Sequence, residues 1–361
     1  MKKQITIIDV AKEANVSKSA ACAVFAKTAS NVRLSPETKE RILAVAHKLG
    51  YSPNIAAKSL NYRKSFLIGF FFIEGNWHVS TQLIRSIQNI CYAHKYSLIV
   101  YPSRNIDEER CNLNLGVERQ LDGILTIPLI SNEGDNAAEY KRIARDVMPV
   151  VQIIFKLCNG IPFVGRDYRQ IGKDAVEYLV ERGHRRIGLI TFSNYKNPVH
   201  GVNAFLHYQG YKDAMSAAGL KEGVYPFAQG ATNIERLDSI HKNTEKIHSS
   251  PYAPTALIAT ANSLAYGAIK YFIECGIRVP EDISIIGCAD DLNLPNCMAP
   301  QLTFFPVPFE TLGSMAMRKC LNLPTQTLPD EIYLKQKIEG GATVCCSNDM
   351  SKSKEIIRSL I

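Results

Sequence analysis

The sequence predicts a small all-α head followed by a long α/β core of two doubly wound parallel-sheet subdomains, and three observations predict it. Positive charge is confined to the start: residues 1–65 hold twelve Lys and Arg against four Asp and Glu, a net +8, whereas the rest of the chain holds thirty of each sign. Apolar residues in that basic stretch recur at the three- and four-residue spacing of a helix face. From Phe66 onward, short apolar runs alternate with amphipathic stretches of helix length.

The head reads as three short helices. Thr6 followed by Asp9 has the spacing of a capping box, and Ile7, Val10, Ala11 and Ala14 then share a face. Asn15-Val16 breaks the pattern at a residue that tolerates the left-handed region. Ser17 can cap a second helix that turns Ala20, Ala21 and Val24 inward, so two helices meet across a tight turn in a helix-turn-helix. Ser35-Pro36-Glu37 opens a third helix with Ile42, Val45, Ala46 and Leu49 as its stripe, and Gly50 closes it. Asn54 could cap a further helix of roughly two turns, too short to be stable alone.

In the core, strands are predicted over 65–73, 96–103, 122–130, 148–155, 185–192, 254–261 and 281–289. Helices are predicted over 82–94, 108–120, 172–182, 203–219 and 263–276. Buried strands joined by crossover helices specify parallel sheets with ligands at the strand C-termini, and the core is long enough for two of them. The divisions follow: a head over 1–50, a linker over 51–64 and a core over 65–361.

Charge placed this way points to a polyanion partner, since clustered cations gain by releasing counterions from phosphate; a solvated basic surface is the alternative. The start MKKQITIIDV lacks the apolar stretch and small-residue site of a secretion signal, and no run reaches membrane-spanning length. Ten cysteines without metal or redox spacing read as reduced thiols of a cytoplasmic protein, most of them small buried hydrophobes. No nucleophile elbow, phosphate loop, dinucleotide fingerprint or metal spacing is present, so neither enzyme chemistry nor a cofactor is expected.

Several segments together carry a family likeness: Thr6-Ile7-Ile8-Asp9-Val10-Ala11, Ala14-Asn15-Val16-Ser17-Lys18, Leu49-Gly50-Tyr51-Ser52-Pro53-Asn54, Leu60, Gly183-His184-Arg185-Arg186-Ile187, the run from Arg278 to Gly287, and Gln301-Leu302-Thr303. In order and spacing the chain resembles the LacI (lactose repressor) family of bacterial regulators along nearly its whole length. The resemblance implies a homodimer or larger assembly on a palindromic operator in double-stranded DNA. It also implies a core like that of periplasmic sugar-binding proteins, holding a small-molecule effector that is a sugar or sugar derivative, and repression as the default outcome.

The resemblance places DNA contacts at Thr6, Ser17, Lys18 and Ser19, with Lys18 and Ser19 at base-reading positions and Ser17 at a phosphate-contacting position where it also serves as a cap. Where the family commonly carries Thr-Val-Ser-Arg, this chain has Ala20-Ala21-Cys22-Ala23. The guanine-reading Arg is therefore missing, a contact worth about 1–3 kcal/mol of discrimination. The longer loop 26–34 offers Asn31 and Arg33 as replacements. Tyr51, Asn54, Ala57 and Lys58 match minor-groove or backbone positions, and Leu60 matches the wedge that kinks the duplex; a plain linker is the other reading of 51–62.

For the effector, the resemblance selects Asn76, Trp77, His78, Asp167, His207, Asn262 and Asp290. His207 stands where the family's Arg-x-x-Gly-Tyr has Arg, removing a two-pronged cation. Trp77 can stack on a sugar ring or anchor a loop. Asp167 can cap the following helix or face the cleft, and Asp290 can be a ligand or a turn carboxylate. A transport-type sugar-binding protein without DNA function remains the rival, opposed by the basic head and the missing export signal.

Overall fold

The computed structural model describes residues 5–25, 34–51, 64–74, 77–131, 134–198, 202–227, 233–250, 253–288, 299–323 and 328–347. The chain divides into two compact units, Met1–Ser65 and Phe66–Ile361.

The first unit contains α1 (Ile7–Glu13), α2 (Lys18–Phe25) and α3 (Pro36–Leu49). Thr6 caps α1 in a complete capping box: its amide and hydroxyl donate to Asp9 Oδ2 at 2.8 and 2.7 Å, and the Asp9 amide donates back to the hydroxyl. Asn15 takes φ +52°, so the chain turns sharply while the Val16 amide still donates to the Ala11 carbonyl at 2.9 Å. Ser35 caps α3 ahead of Pro36, and Gly50 at φ +65° ends it, with the Tyr51 amide reaching the Ala46 carbonyl at 2.8 Å. Val10, Ala14, Ile42 and Ala46 form the core, with Val24, Leu49 and Tyr51 packed against it.

The second unit holds two sheets whose ladders are all parallel. The first lobe runs β1 (Leu67–Ile73), α4 (Trp77–His94), β2 (Ser97–Ser103), α5 (Ile106–Glu118) and β3 (Gly123–Thr126). A small hairpin, β4 (Ile130–Ser131) and β5 (Gly134–Asp135), precedes α6 (Ala137–Asp146), β6 (Val150–Ile153) and β7 (Phe163–Arg166). The second lobe runs α7 (Tyr168–Glu181), β8 (Ile187–Phe192), α8 (Val202–Ala217), β9 (Val224–Phe227), α9 (Asn233–His248), β10 (Ala256–Ala259), α10 (Asn262–Glu274), β11 (Ser284–Gly287) and β12 (Thr303–Phe304). The chain then returns to the first lobe for α11 (Phe309–Cys320) and β13 (Glu331–Leu334).

Strand order is β2-β1-β3-β6-β7-β13 in one sheet and β9-β8-β10-β11-β12 in the other. After β13 the chain crosses once more, where Glu339 bridges Phe304 and the Thr343 hydroxyl donates to the Ile285 carbonyl. Three crossings therefore join the lobes.

Helices cover both faces of each sheet. Phe70 and Phe72 enter one core cluster and Phe71 the other, while Leu257 and Ala259 face one layer and Ile258 the opposite one. The central strands β3, β6, β8, β10 and β11 are buried almost throughout, which is why they read as largely apolar runs.

Several boundaries differ from expectation for physical reasons. The predicted strand over 122–130 stops at Thr126, because Pro128 cannot donate to a ladder and the chain then turns into the β4–β5 hairpin. Trp77 and His78, expected in a loop, begin α4. Strands β7, β9, β12 and β13 were not expected: Gly165-Arg166, Pro226 and Glu331 interrupt three of them, and β12 is two residues long, so none presents an unbroken apolar run. Helices α6, α9 and α11 were also unassigned.

Candidate functional site

Two places gather the residues singled out above. In the first unit, Ala21 is fully buried and Ala20 nearly so. They lay one side of α2 on the core and leave Ser17, Lys18, Ser19 and Cys22 exposed on the other. Ser17 Oγ accepts the Ala20 amide at 3.1 Å, so it caps α2 while staying accessible. Thr6 is exposed at the start of α1. Tyr51 is partly buried, its ring edge-on to Phe25 at 5.4 Å, so it serves the head's core.

The second place lies at the C-terminal strand ends, where the two lobes meet. Arg166, the last residue of β7, is 2% exposed. Its Nε donates to Gln336 Oε1 at 2.7 Å, and its Nη2 donates to the Cys288 carbonyl at 2.7 Å. One guanidinium thus ties the first lobe's strand edge to the second lobe and to the third crossing. Its plane lies 5.3 Å from the Tyr168 ring centroid, and Tyr168 in turn meets His207 edge-on at 5.1 Å.

His207 on α8 is fully enclosed. Burial, reinforced by the nearby Arg166 charge, pushes its imidazole down to about 3, and the ring is neutral at working pH. Asn262 is fully buried as the first residue of α10. Its Oδ1 rests so close to the Gly287 backbone that a Cβ there would collide with it. Thr260 and Thr191, at the ends of β10 and β8, share a hydroxyl–hydroxyl bond of 3.1 Å. Asp167 caps α7 by accepting the Gln170 amide at 2.9 Å and is partly exposed. Among the described residues, no cluster of three His, Cys, Asp or Glu could hold a metal ion, and no helix is long and apolar enough to cross a membrane.

Comparison with known proteins bears on both places. The profile of bacterial regulatory proteins of the lacI family matches residues 6–54, and that of periplasmic binding protein-like domains matches residues 176–336. Catabolite control protein A of Priestia megaterium is 31% identical over 324 residues, covering 87% of this chain and 91% of that protein. The chain belongs to the LacI family of bacterial regulatory proteins.

Other relatives of this family member include the HTH-type transcriptional repressor PurR of Serratia proteamaculans, 32% identical over 325 residues with 88% and 89% of the two chains covered. The ribose operon repressor of Escherichia coli K12 is 28% identical over 324 residues, with 89% and 93% covered. Among solved structures, the lac repressor dimer bound to operator and an anti-inducer superposes with a TM-score of 0.76 at 22% identity, covering 95% of this chain and all of that one. A LacI family regulator from Enterococcus faecium with bound ribose gives 0.63 at 21% identity, covering 78% and 99%. These likenesses establish the fold, a helix-turn-helix with two parallel-sheet α/β subdomains.

Within this LacI-family chain, Asn31, Arg33, Asn54, Ala57, Lys58, Leu60, Asn76 and Asp290 lie outside the described residues, as does the Trp77 side chain. His78 starts α4 with its ring edge-on to Phe309 at 5.9 Å. His207 belongs to one contiguous group with Arg166 and Tyr168, and Asn262 joins it through Gly287-Cys288.

Sequence reasoning missed Arg166, Tyr168, Asn203 and Gln336. Arg166 carried one signal, a lone cation closing the apolar run Phe163-Val164-Gly165, which a buried strand tolerates only if the charge is bonded. The other three carried none.

Proposed function

We propose that the chain is a transcriptional repressor that binds a palindromic operator in double-stranded DNA as a homodimer or larger homo-oligomer. It acts in the cytoplasm, has no catalytic role, and is controlled by a small-molecule effector, a sugar or sugar derivative, held between the two core lobes. The observation that carries this reading is the exposed Ser17-Lys18-Ser19 edge of α2, mounted on a packed three-helix unit within a segment of net charge +8. A helix presented this way enters the major groove with its first residues at base edges.

Lys18 and Ser19 read bases, Ser17 and Thr6 meet phosphates, and Asn31 and Arg33 extend the contact. Residues 51–64 form the hinge between a head over 1–50 and a core over 65–361, with Tyr51, Asn54, Ala57 and Lys58 along the minor groove and Leu60 as its wedge. His207 and Asn262 contact the effector together with Asn76, Trp77, His78, Asp167 and Asp290. Effector binding shifts the population of lobe arrangements and, through the hinge, the affinity for DNA. The chain's similarity to a catabolite control protein, to a ribose operon repressor and to a ribose-bound LacI family regulator supports the same reading.

The test is binding of the full-length protein to its own upstream DNA at two salt concentrations. Affinity should drop steeply with salt for operator and scrambled duplex alike, while the operator stays preferred. Absent or salt-insensitive binding would return the chain to the transport-type reading. Leu60→Ala should lose specific affinity more than nonspecific affinity, and equal losses would remove the wedge.

A further inference from the structure

The corner at which the chain enters its second unit is held by groups that neither the operator nor the effector reading uses. Strand order β2-β1-β3 sets the residues preceding these parallel strands side by side at their N-terminal ends, away from the C-terminal ends where the effector is proposed to sit. Those residues are Tyr96, Phe66 and Asp122.

Phe66 is the outlier among them. Its φ of +59° lies in the left-handed region, which a bulky side chain seldom adopts without outside support. Both neighbouring strands supply that support. The Phe66 amide donates to Asp122 Oδ2 at 3.1 Å, its carbonyl accepts the Ser97 amide at 2.8 Å, and its ring lies 5.7 Å from that of Tyr96, tilted by 54°. Tyr96 is hydrogen-bonded to the same Asp122 carboxylate; burial, and after it that charge, push its phenol up to about 12, so the hydroxyl keeps its proton and is the donor. Asp122 is fixed in turn by its own amide, which donates to the Leu67 carbonyl at 2.8 Å.

Strand β1 is paired on both sides, with β2 and with β3, so its direction is set by the sheet. The backbone angles at Phe66 then decide the direction of the chain that precedes it. A return of φ to about −60° would rotate that chain by about 120° around one bond.

We propose that Asp122, together with Tyr96, is a positioning residue for DNA binding: it latches Phe66 in the left-handed region and so fixes the path on which the hinge leaves the core. The proposal deepens the repressor reading above and rests on it. Specific binding needs head and hinge on a defined path, whereas the attraction of a segment of net charge +8 to phosphate does not. Releasing the latch lowers the fraction of molecules whose junction is competent, and the apparent operator affinity falls by that fraction.

The test is fluorescence anisotropy of the full-length protein on its own upstream DNA and on a scrambled duplex of equal length, well below the melting temperature of every variant. Asp122→Ala should weaken operator binding about fivefold or more and scrambled binding less than about twofold. Asp122→Asn, whose carbonyl oxygen still accepts both donors, should stay within about twofold of wild type on both duplexes. The two variants remove the same negative charge, so the difference between them reads the hydrogen bonds and not the field. If the Ala variant does not fold, Tyr96→Phe, which keeps the ring and removes the hydroxyl, takes its place and should lower operator preference about twofold or more. A folded Ala variant with the operator preference of wild type, whatever its melting temperature, or an Asn variant as impaired as Ala, would overturn this inference alone. A wild-type chain that prefers no upstream duplex would overturn the repressor reading and this inference with it.

Discussion

His207 gives the core a pH dependence whose sign follows from its burial. Its folded pKa, about 3, lies below the ordinary 6.5, so the unfolded chain takes up the proton first as the pH falls. Stability from this group is complete above 6.5 and declines from there towards 3. At pH 5 the loss is about 2 kcal/mol. Melting temperature followed from pH 8 to pH 5 should fall more steeply for wild type than for His207→Gln; parallel curves would mean that the ring is solvated. Lys18 belongs to the same scale. Lys18→Ala should cost about 1–3 kcal/mol on the operator and less on scrambled duplex if it reads a base, and fluorescence anisotropy with both duplexes decides. Ser17's capping role is legible in the sequence because a cap acts three residues away. The role of Arg166 is not, because its partner Gln336 is 170 positions distant.

Among the elements, the α7–α8 crossing and the head's turn are the most sensitive to single substitutions. Gly210 lies against the Arg169 carbonyl, and Gly210→Ala must push the helices apart or bend one. A loss of about 1–3 kcal/mol in chemical denaturation is expected, and a neutral result would show that the crossing yields. Asn15 holds φ +52° between α1 and α2. Asn15→Ala should cost the head about 1 kcal/mol while Asn15→Gly is tolerated. The head's helices were legible because capping boxes, Pro at a first turn and a terminal Gly are local signals. Strands such as β7 and β13 were not, since Gly165-Arg166 and Glu331 break their apolar runs and their neighbours in the sheet come from distant sequence.

For the molecule as a whole, the proposed coupling must be reciprocal. If an effector weakens DNA binding by some factor, DNA must weaken effector binding by the same factor. Titrating effector into the protein alone and into its operator complex measures both sides, and an effect in one direction only would rule out two linked equilibrium sites.

The sequence by itself determined the kinds of unit present, a basic helical head and an α/β core, and which side of α2 faces outward. Charge segregation and hydrophobic period are properties of neighbouring residues, so they survive without coordinates. Only the tertiary structure decided that the chain crosses between lobes three times, and that Arg166, Tyr168 and Asn203 join His207 and Asn262 at one junction. Those contacts close loops of many tens of residues, and their geometry depends on two sheets packing face by face, which no local pattern encodes.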